Sequence, residues 1–311
     1  MQTSREFICH LCGNREHFDF VLDEPGLTVA RCPVCGLVFE ASPPGFEKLD
    51  YDNIYPPTPP QAAPAKAIRK KHLVWEKALR TAPGRRLLEI GCSYGFFLEH
   101  LRRNGWEAEG IDVSSNAIAY ARQRGLNCSC SRIEEFRPAG KYDAVVLIHV
   151  LEHLSEPVEV LKVIASWLNP GGIAYLRVPN FASGLVNLSR ADTIGHLKPR
   201  EHLCYFTPAT LEQTLARASY EARVWTEGRN SLADLVNNRL RRRLVISPSW
   251  RNYNYENPSG NKSLYTKLRN GYERLFLPIL AGMRWGKEDR EVVAIGKKTS
   301  NQDRSEPEIP S

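Results

Sequence analysis

Four thiols near the start of the chain are spaced for metal binding. Cys9 and Cys12 form one C-x2-C pair, Cys32 and Cys35 a second, and nineteen residues separate them. Each short pair makes a turn that aims two thiolates at one point. Two such turns close a tetrahedron around Zn²⁺ with no open coordination position. Gly13 and Gly36 follow the pairs, where backbone amides must turn toward sulfur. Four sulfurs leave no place for water or substrate, so the zinc is read as structural, with four unrelated buried thiols as the plain alternative. His10 and His17 are spare nitrogen ligands. About forty residues bury too little surface to fold alone, so metal binding is expected to supply much of this module's stability. Cys92, Cys128, Cys130 and Cys204 form no ligand pattern and are read as small buried residues.

A second chemistry-bearing stretch runs Leu87-Leu88-Glu89-Ile90-Gly91-Cys92-Ser93-Tyr94-Gly95-Phe96-Phe97. An apolar strand enters a glycine turn that opens a helix, which places a ligand crevice at the carboxyl edge of an α/β sheet. The glycines do not follow the G-x-G-x-x-G spacing that cradles a diphosphate. Glu89 would repel such a group and would welcome a ligand carrying positive charge. Asp112 ends the next strand, 23 residues after Glu89. An acid there accepts hydrogen bonds from both ribose hydroxyls of a nucleoside. A cationic nucleoside without a diphosphate is S-adenosylmethionine.

Glu89-x-Gly91-x-Ser93-x-Gly95 is similar to motif I of the class I S-adenosylmethionine-dependent methyltransferases, written E/D-x-G-x-G-x-G, and Asp112 matches their ribose-binding acid. Tyr142 to Leu154 looks like their fourth strand and the loop after it. Leu168-Asn169-Pro170-Gly171-Gly172 resembles the turn before their fifth strand. The front cysteines and His202-Leu203-Cys204-Tyr205-Phe206-Thr207 resemble a subgroup with an N-terminal zinc ribbon. The likeness covers about residues 7–226 and a final strand near Val292. It implies S-adenosylmethionine held by Glu89, Gly91, Ser93, Gly95, Ile111, Asp112, Ile133 and His149. Ser93 stands where the motif has its middle glycine, which predicts weakened cofactor binding. The third-strand end, Cys130-Ser131-Arg132-Ile133-Glu134, lacks the acid often found there and leaves Arg132 and Ile133 as adenine contacts.

The resemblance implies in-line methyl transfer, in which alignment of donor and acceptor supplies much of the acceleration. A base is needed where the acceptor must lose a proton, and histidine suits that role near neutral pH. His149, His153 and His202 are the candidates. Ubiquinone-pathway O-methyltransferases and small-RNA 2′-O-methyltransferases hold a divalent metal with E-x-x-E-H; this chain offers His149-x-x-Glu152-His153, with His196 or His202 as a distant ligand. Base, second metal site and structural support of the loop all stay open.

Positioning these groups requires alternating strands and helices. Strands are expected at 86–90, 108–111, 126–128, 144–148, 173–178, 222–226 and 292–296, with helices at 96–104, 116–124, 158–168 and 208–218. That order predicts an α/β, Rossmann-like, doubly wound, mostly parallel seven-stranded sheet with a small N-terminal zinc ribbon. In the ribbon, Phe18–Leu22 and Leu27–Arg31 are candidate strands. The organisation expected is a zinc ribbon over 1–50 and a proline-rich spacer with an N-terminal helix over 51–82. A cofactor-binding core follows over 83–226, then a basic substrate-side insertion with the closing strand over 227–298 and a disordered tail over 299–311.

The 311 residues are 42% hydrophobic and 25% charged, which excludes collagen-like, disordered and disulfide-scaffold classes. No apolar run approaches the roughly 20 residues that span a bilayer, and the first residues lack a secretory pattern; no membrane partner and a cytoplasmic location are expected. The net charge of +7 permits an acidic partner without demanding one. The function expected is methyl transfer to a small-molecule acceptor, a sugar, polyketide or other secondary-metabolite hydroxyl or carbon. Two rivals are an RNA methyltransferase, gripping phosphate with the ribbon and Arg239-Leu240-Arg241-Arg242-Arg243, and a non-catalytic ribbon that binds a partner.

Overall fold

The computed structural model describes residues 7–24, 27–41, 52, 55–59, 78–182, 201–227 and 291–299. His196, the arginine cluster, the tail and most of the proline-rich stretch, the helix expected after it and the late insertion lie outside these residues. Strands β4 (Arg86–Ile90), β5 (Glu107–Asp112), β6 (Cys128–Cys130), β7 (Tyr142–Ile148), β8 (Leu168–Pro179), β10 (Tyr220–Glu227) and β11 (Glu291–Lys298) form one seven-stranded sheet. Its order is β10-β11-β8-β7-β4-β5-β6. The five strands β8, β7, β4, β5 and β6 run parallel, and β11 is antiparallel to β8 and β10. The order reverses beside β4, between β5 on one side and β7 on the other, which opens the crevice where such sheets bind ligands.

Both faces of the sheet are covered, as parallel strands require. Leu88, Ile90, Val145, Leu147, Leu176, Val178 and Val292 join the core that contains α3 (Pro157–Trp167) and α4 (Pro208–Arg217). The alternate positions Leu87, Ala144, Val146, Tyr175 and Val293 pack with Phe97 and Leu101 of α1 (Phe96–Arg103). The period of two along each strand is what assigns them to opposite faces. Helix α2 (Ser115–Gln123) joins α1 in a third cluster around Leu98, Ile118 and Leu126.

The N-terminal strands β1 (Asp19–Glu24), β2 (Leu27–Arg31) and β3 (Val38–Glu40) form an antiparallel meander. It is extended by β9 (Cys204–Tyr205), a strand from far along the chain, in the order β1-β2-β3-β9. Cys9, Leu11, Ala30, Leu37 and Phe39 belong to the same buried cluster as Leu161, Leu176 and Leu211. The ribbon therefore shares its core and its sheet with the rest of the fold.

Several boundaries shift. The strand expected at 126–128 lies at Cys128–Cys130, because Leu126 packs into the α1–α2 cluster and the ladder with β5 begins at Gly110↔Cys128. The turn at 169–172 bulges from the ladder between Tyr142↔Leu168 and Ala144↔Ile173. Cys130, expected buried, is exposed at the end of an edge strand, while Cys92, Cys128 and Cys204 are buried.

Candidate active site

The turn from β4 into α1 is built by left-handed residues. Gly91 has φ +76°, and a Cβ there would stand 2.4 Å from Val150 Cγ2, so glycine lets the turn meet the loop after β7. Ser93 also takes a positive φ, 48°, which an L-residue adopts only when its surroundings hold it there. Its amide donates to Asp112 Oδ2 at 2.8 Å. The Gly91 and Cys92 amides both donate to the Ile111 carbonyl, at 2.8 and 3.0 Å. The end of β5 thus holds the glycine turn in shape through Ile111 and Asp112. Gly95 caps α1 in the left-handed conformation.

Asp112 is buried and also accepts from the Ser114 amide at 2.9 Å. Burial pushes its carboxyl above the ordinary value, and the amides of Ser114, Ser93 and Val113 only partly offset this. Glu89 is buried one strand away, and its Oε2 has no hydrogen-bond partner among the described residues. Burial first, then the charge of Asp112, pushes the Glu89 carboxyl well above the usual range. An orphaned buried carboxylate oxygen beside a bare-backbone turn is a receptor for a ligand that brings positive charge and hydroxyl donors. The chemistry of S-adenosylmethionine fits these donors and acceptors. Ile133 is buried next to the third strand's end, and Arg132 pairs with Glu134 at 3.6 Å.

Residues 52 and 55–59, expected in a spacer, are docked on this region. Asp52 accepts from Ser114 Oγ and Ser115 Oγ, each at 2.8 Å, and from the Asn116 amide at 3.2 Å, at the start of α2. Tyr94 of the glycine turn donates its hydroxyl to the Pro56 carbonyl at 2.7 Å. Nothing in the composition of the proline-rich stretch signalled this.

Across the crevice, His149 follows the end of β7, and its φ of 55° is again left-handed. Its ring is 42% exposed, with Nδ1 3.3 Å from Oε1 of the buried Glu152. Glu152 and His153 lie in the single helical turn Leu151–His153. Burial alone would raise the Glu152 carboxyl, but the nearby imidazole of His149, followed by those of His153 and His202, holds it below its ordinary value. His153 engages the Glu201 carbonyl through Nδ1 at 2.6 Å, and its ring meets the buried His202 edge-on, centroids 4.9 Å apart. The structure therefore brings His149, His153 and His202 together around one carboxylate. Ligand atoms of Glu152, His153 and His202 lie within 4.8 Å of one another, close enough to hold a cation.

A cluster not expected from the sequence adjoins His149. Arg177 is buried on β8 and pairs with Glu227 at 3.0 Å and with Glu291. Glu291 Oε1 stands 3.9 Å from His149 Nε2. A lone arginine in the apolar run Tyr175-Leu176-Arg177-Val178 was the available signal.

Residues 62–223, more than half of the chain, match the family described as Methyltransferase domain. The chain belongs to that family. It is a class I S-adenosylmethionine-dependent methyltransferase. Over 174 residues the methyltransferase is 29% identical to the ubiquinone biosynthesis O-methyltransferase of Bordetella avium, covering 51% of this chain and 71% of that one. Over 150 residues it is 29% identical to the ubiquinone biosynthesis O-methyltransferase of Xanthomonas campestris, covering 44% and 62%. A solved SAM-dependent methyltransferase from Archaeoglobus fulgidus is 20% identical, with a TM-score of 0.45, covering 73% of this chain and 94% of that one.

In the ribbon, Cys9 Sγ lies 3.5 Å from Cys35 Sγ and Cys12 Sγ 3.5 Å from Cys32 Sγ, with all four sulfurs within 4.8 Å of one another. Gly13 and Gly36 take the positive φ that the turns require, 73° and 79°. The hydrogen bond from Cys35 brings the Cys9 thiol down to about 5. The same proton sharing, with burial, pushes Cys35 up. Four converging sulfurs with one already acidic form a donor set that suits Zn²⁺. His10 packs edge-on against Phe39, centroids 5.0 Å apart. Among the described residues, no helix is long and apolar enough to cross a membrane.

Proposed function

We propose that the chain methylates a hydroxyl of a small-molecule acceptor, using His149 as the base, with a structural zinc held by Cys9, Cys12, Cys32 and Cys35. The observation that carries this is the exposed His149 ring, its Nδ1 3.3 Å from buried Glu152, in the loop that meets the glycine turn at Val150. Asp112 would take the cofactor's ribose hydroxyls, Glu89 would face its positive end, and the backbone at Gly91, Ser93 and Gly95 would lie along it, with Ile111 and Ile133 flanking. S-adenosylmethionine, when bound, supplies an electrophilic methyl group and leaves as a neutral thioether. His149 holds its Nδ1 proton toward Glu152 and presents Nε2 to the acceptor hydroxyl, from which it takes the proton as the oxygen attacks. Glu152 stabilises the imidazolium that results, while His153 and His202 keep the carboxylate in place. A base of this kind contributes about 10²–10⁴-fold.

His149→Ala should lower kcat by about that factor and weaken cofactor binding by far less. Cofactor-dependent methylation of a panel of hydroxylated sugars and polyketides, read by mass, provides the assay. Undiminished turnover would remove His149 from the role. A second reading, in which Glu152, His153 and His202 hold a divalent cation, is favoured by the convergence of their ligand atoms. Metal analysis separates them: one zinc per chain supports the base, and a second bound metal required for turnover supports the alternative.

A further inference from the structure

We propose that the ribbon is the mechanical support of the catalytic turn, and that Glu40 and Leu203 are the positioning residues through which it acts. This rests on the readings of His149 as base and of the four cysteines as a zinc site. The connection is short. Cys32 and Cys35 shape the turn that feeds β3, with the Cys32 amide donating to the Leu37 carbonyl at 2.9 Å and the Gly36 amide to the Cys32 carbonyl at 2.8 Å. Strand β3 then pairs with β9 at Val38↔Tyr205 and Phe39↔Cys204. One residue further, the Glu40 amide donates to the Leu203 carbonyl at 2.9 Å, and the Leu203 amide donates to the Glu152 carbonyl at 2.7 Å. Leu203 is thus held by the ribbon through its carbonyl and by the catalytic turn through its amide.

The flanking residues follow the same path. Glu201 offers its carbonyl to His153, His202 packs against the His153 ring, and Cys204 Sγ reaches the Leu154 carbonyl at 3.7 Å. Strand β9 has two residues and β3 as its sheet partner. A strand so short gains little from its own propensity, so its place depends on the strand beside it. The turn it steadies is itself a single helical turn of three residues. Through Glu152, any displacement there reaches the His149 ring. The cofactor crevice stands on β4 and β5 and meets this loop where Gly91 approaches Val150, so loss of the support should cost kcat more than cofactor affinity.

Three variants of the full chain test this. Cys12→Ser should lose zinc, raise amide exchange at 201–206 and 150–154, and leave strands β4 and β5 protected. Glu40→Pro keeps every thiolate and removes the amide that grips Leu203, together with the Glu40 side chain and the backbone freedom of Phe39 and residue 40; it should retain zinc and show the same exchange pattern. In both, kcat should fall on the order of tenfold to a hundredfold, the cost of a small misplacement of a reacting group, while the cofactor dissociation constant changes by far less. Glu40→Gln retains the amide and should restore kcat. Full turnover in Glu40→Pro, an equal loss in Glu40→Gln, or a parallel loss of cofactor affinity in Glu40→Pro overturns the proposal. If Cys12→Ser unfolds the whole chain, Glu40→Pro and Glu40→Gln decide. A chain that binds no zinc refutes the metal reading alone, and an active His149→Ala refutes the base alone, because the two Glu40 variants still report on the strand.

Discussion

Glu89 and Asp112 set two carboxylates in one buried crevice, and both are pushed upward, Glu89 by burial and by its neighbour's charge. In the fold they hold protons that the unfolded chain would release. The native state therefore binds more protons over that interval, and this pair's contribution to stability falls as pH rises from the ordinary carboxylate range toward their raised values. A cationic ligand reverses the sign locally by favouring the ionised form. Affinity for S-adenosylmethionine should accordingly rise with pH through the raised range of Glu89, with protons released on binding. Calorimetry in two buffers of different ionisation enthalpy measures that release, and Glu89→Gln should flatten the dependence; a pH-independent affinity in the parent would count against the placement. Asp112→Ala should cost about 1–3 kcal/mol of cofactor binding, the loss of hydrogen bonds to a charged acceptor. Glu89 and Asp112 were legible in the sequence because each stands at the carboxyl end of a strand and the glycine motif begins at Glu89. Arg177, Glu227 and Glu291 were not, since their meeting depends on β11 inserting between β8 and β10.

Regular elements were easiest to read where local chemistry agrees with tertiary need. Strand β4 begins and ends where its apolar run does, and α4 opens where Thr207-Pro208 predicts. Thr207 accepts from the Thr210 amide at 3.2 Å, and the Thr210 hydroxyl accepts from the Thr207 amide at 2.9 Å, a reciprocal cap. Thr207→Ala should destabilise the fold by about 1 kcal/mol, seen as a lower midpoint in denaturant with unchanged slope. An unchanged midpoint would mean that the packing of Leu211 and Leu215 alone fixes the start of α4. Strands β3 and β9 were missed because three residues and two residues carry no periodicity of their own. Their pairing joins positions 38 and 205, and it is visible only once the sheet is assembled. Asp52 was missed for a related reason: an acid placed at the start of a helix 62 residues ahead leaves no local pattern.

Ribbon and core share one continuous buried interior. Phe39 is buried in one cluster with Leu37 and Cys9 on the ribbon side and with Cys204, Phe206 and Leu211 from beyond residue 200. A small module that cannot bury enough surface alone gains that burial from its neighbour, so metal and packing stabilise it together. Such a shared core makes the two parts one cooperative unit rather than two domains that melt in turn. Phe39→Ala should cost about 3–5 kcal/mol, the transfer and cavity terms for a buried aromatic ring. That cost should fall on the whole chain: metal release from the four thiolates and loss of sheet signal by circular dichroism should shift to lower denaturant together. Release of metal well before the sheet unfolds would show that the seam is a docking contact between separately stable parts. Coincident shifts would mean that ribbon, strand pairing and catalytic turn are lost in one step, because the same buried side chains hold all three.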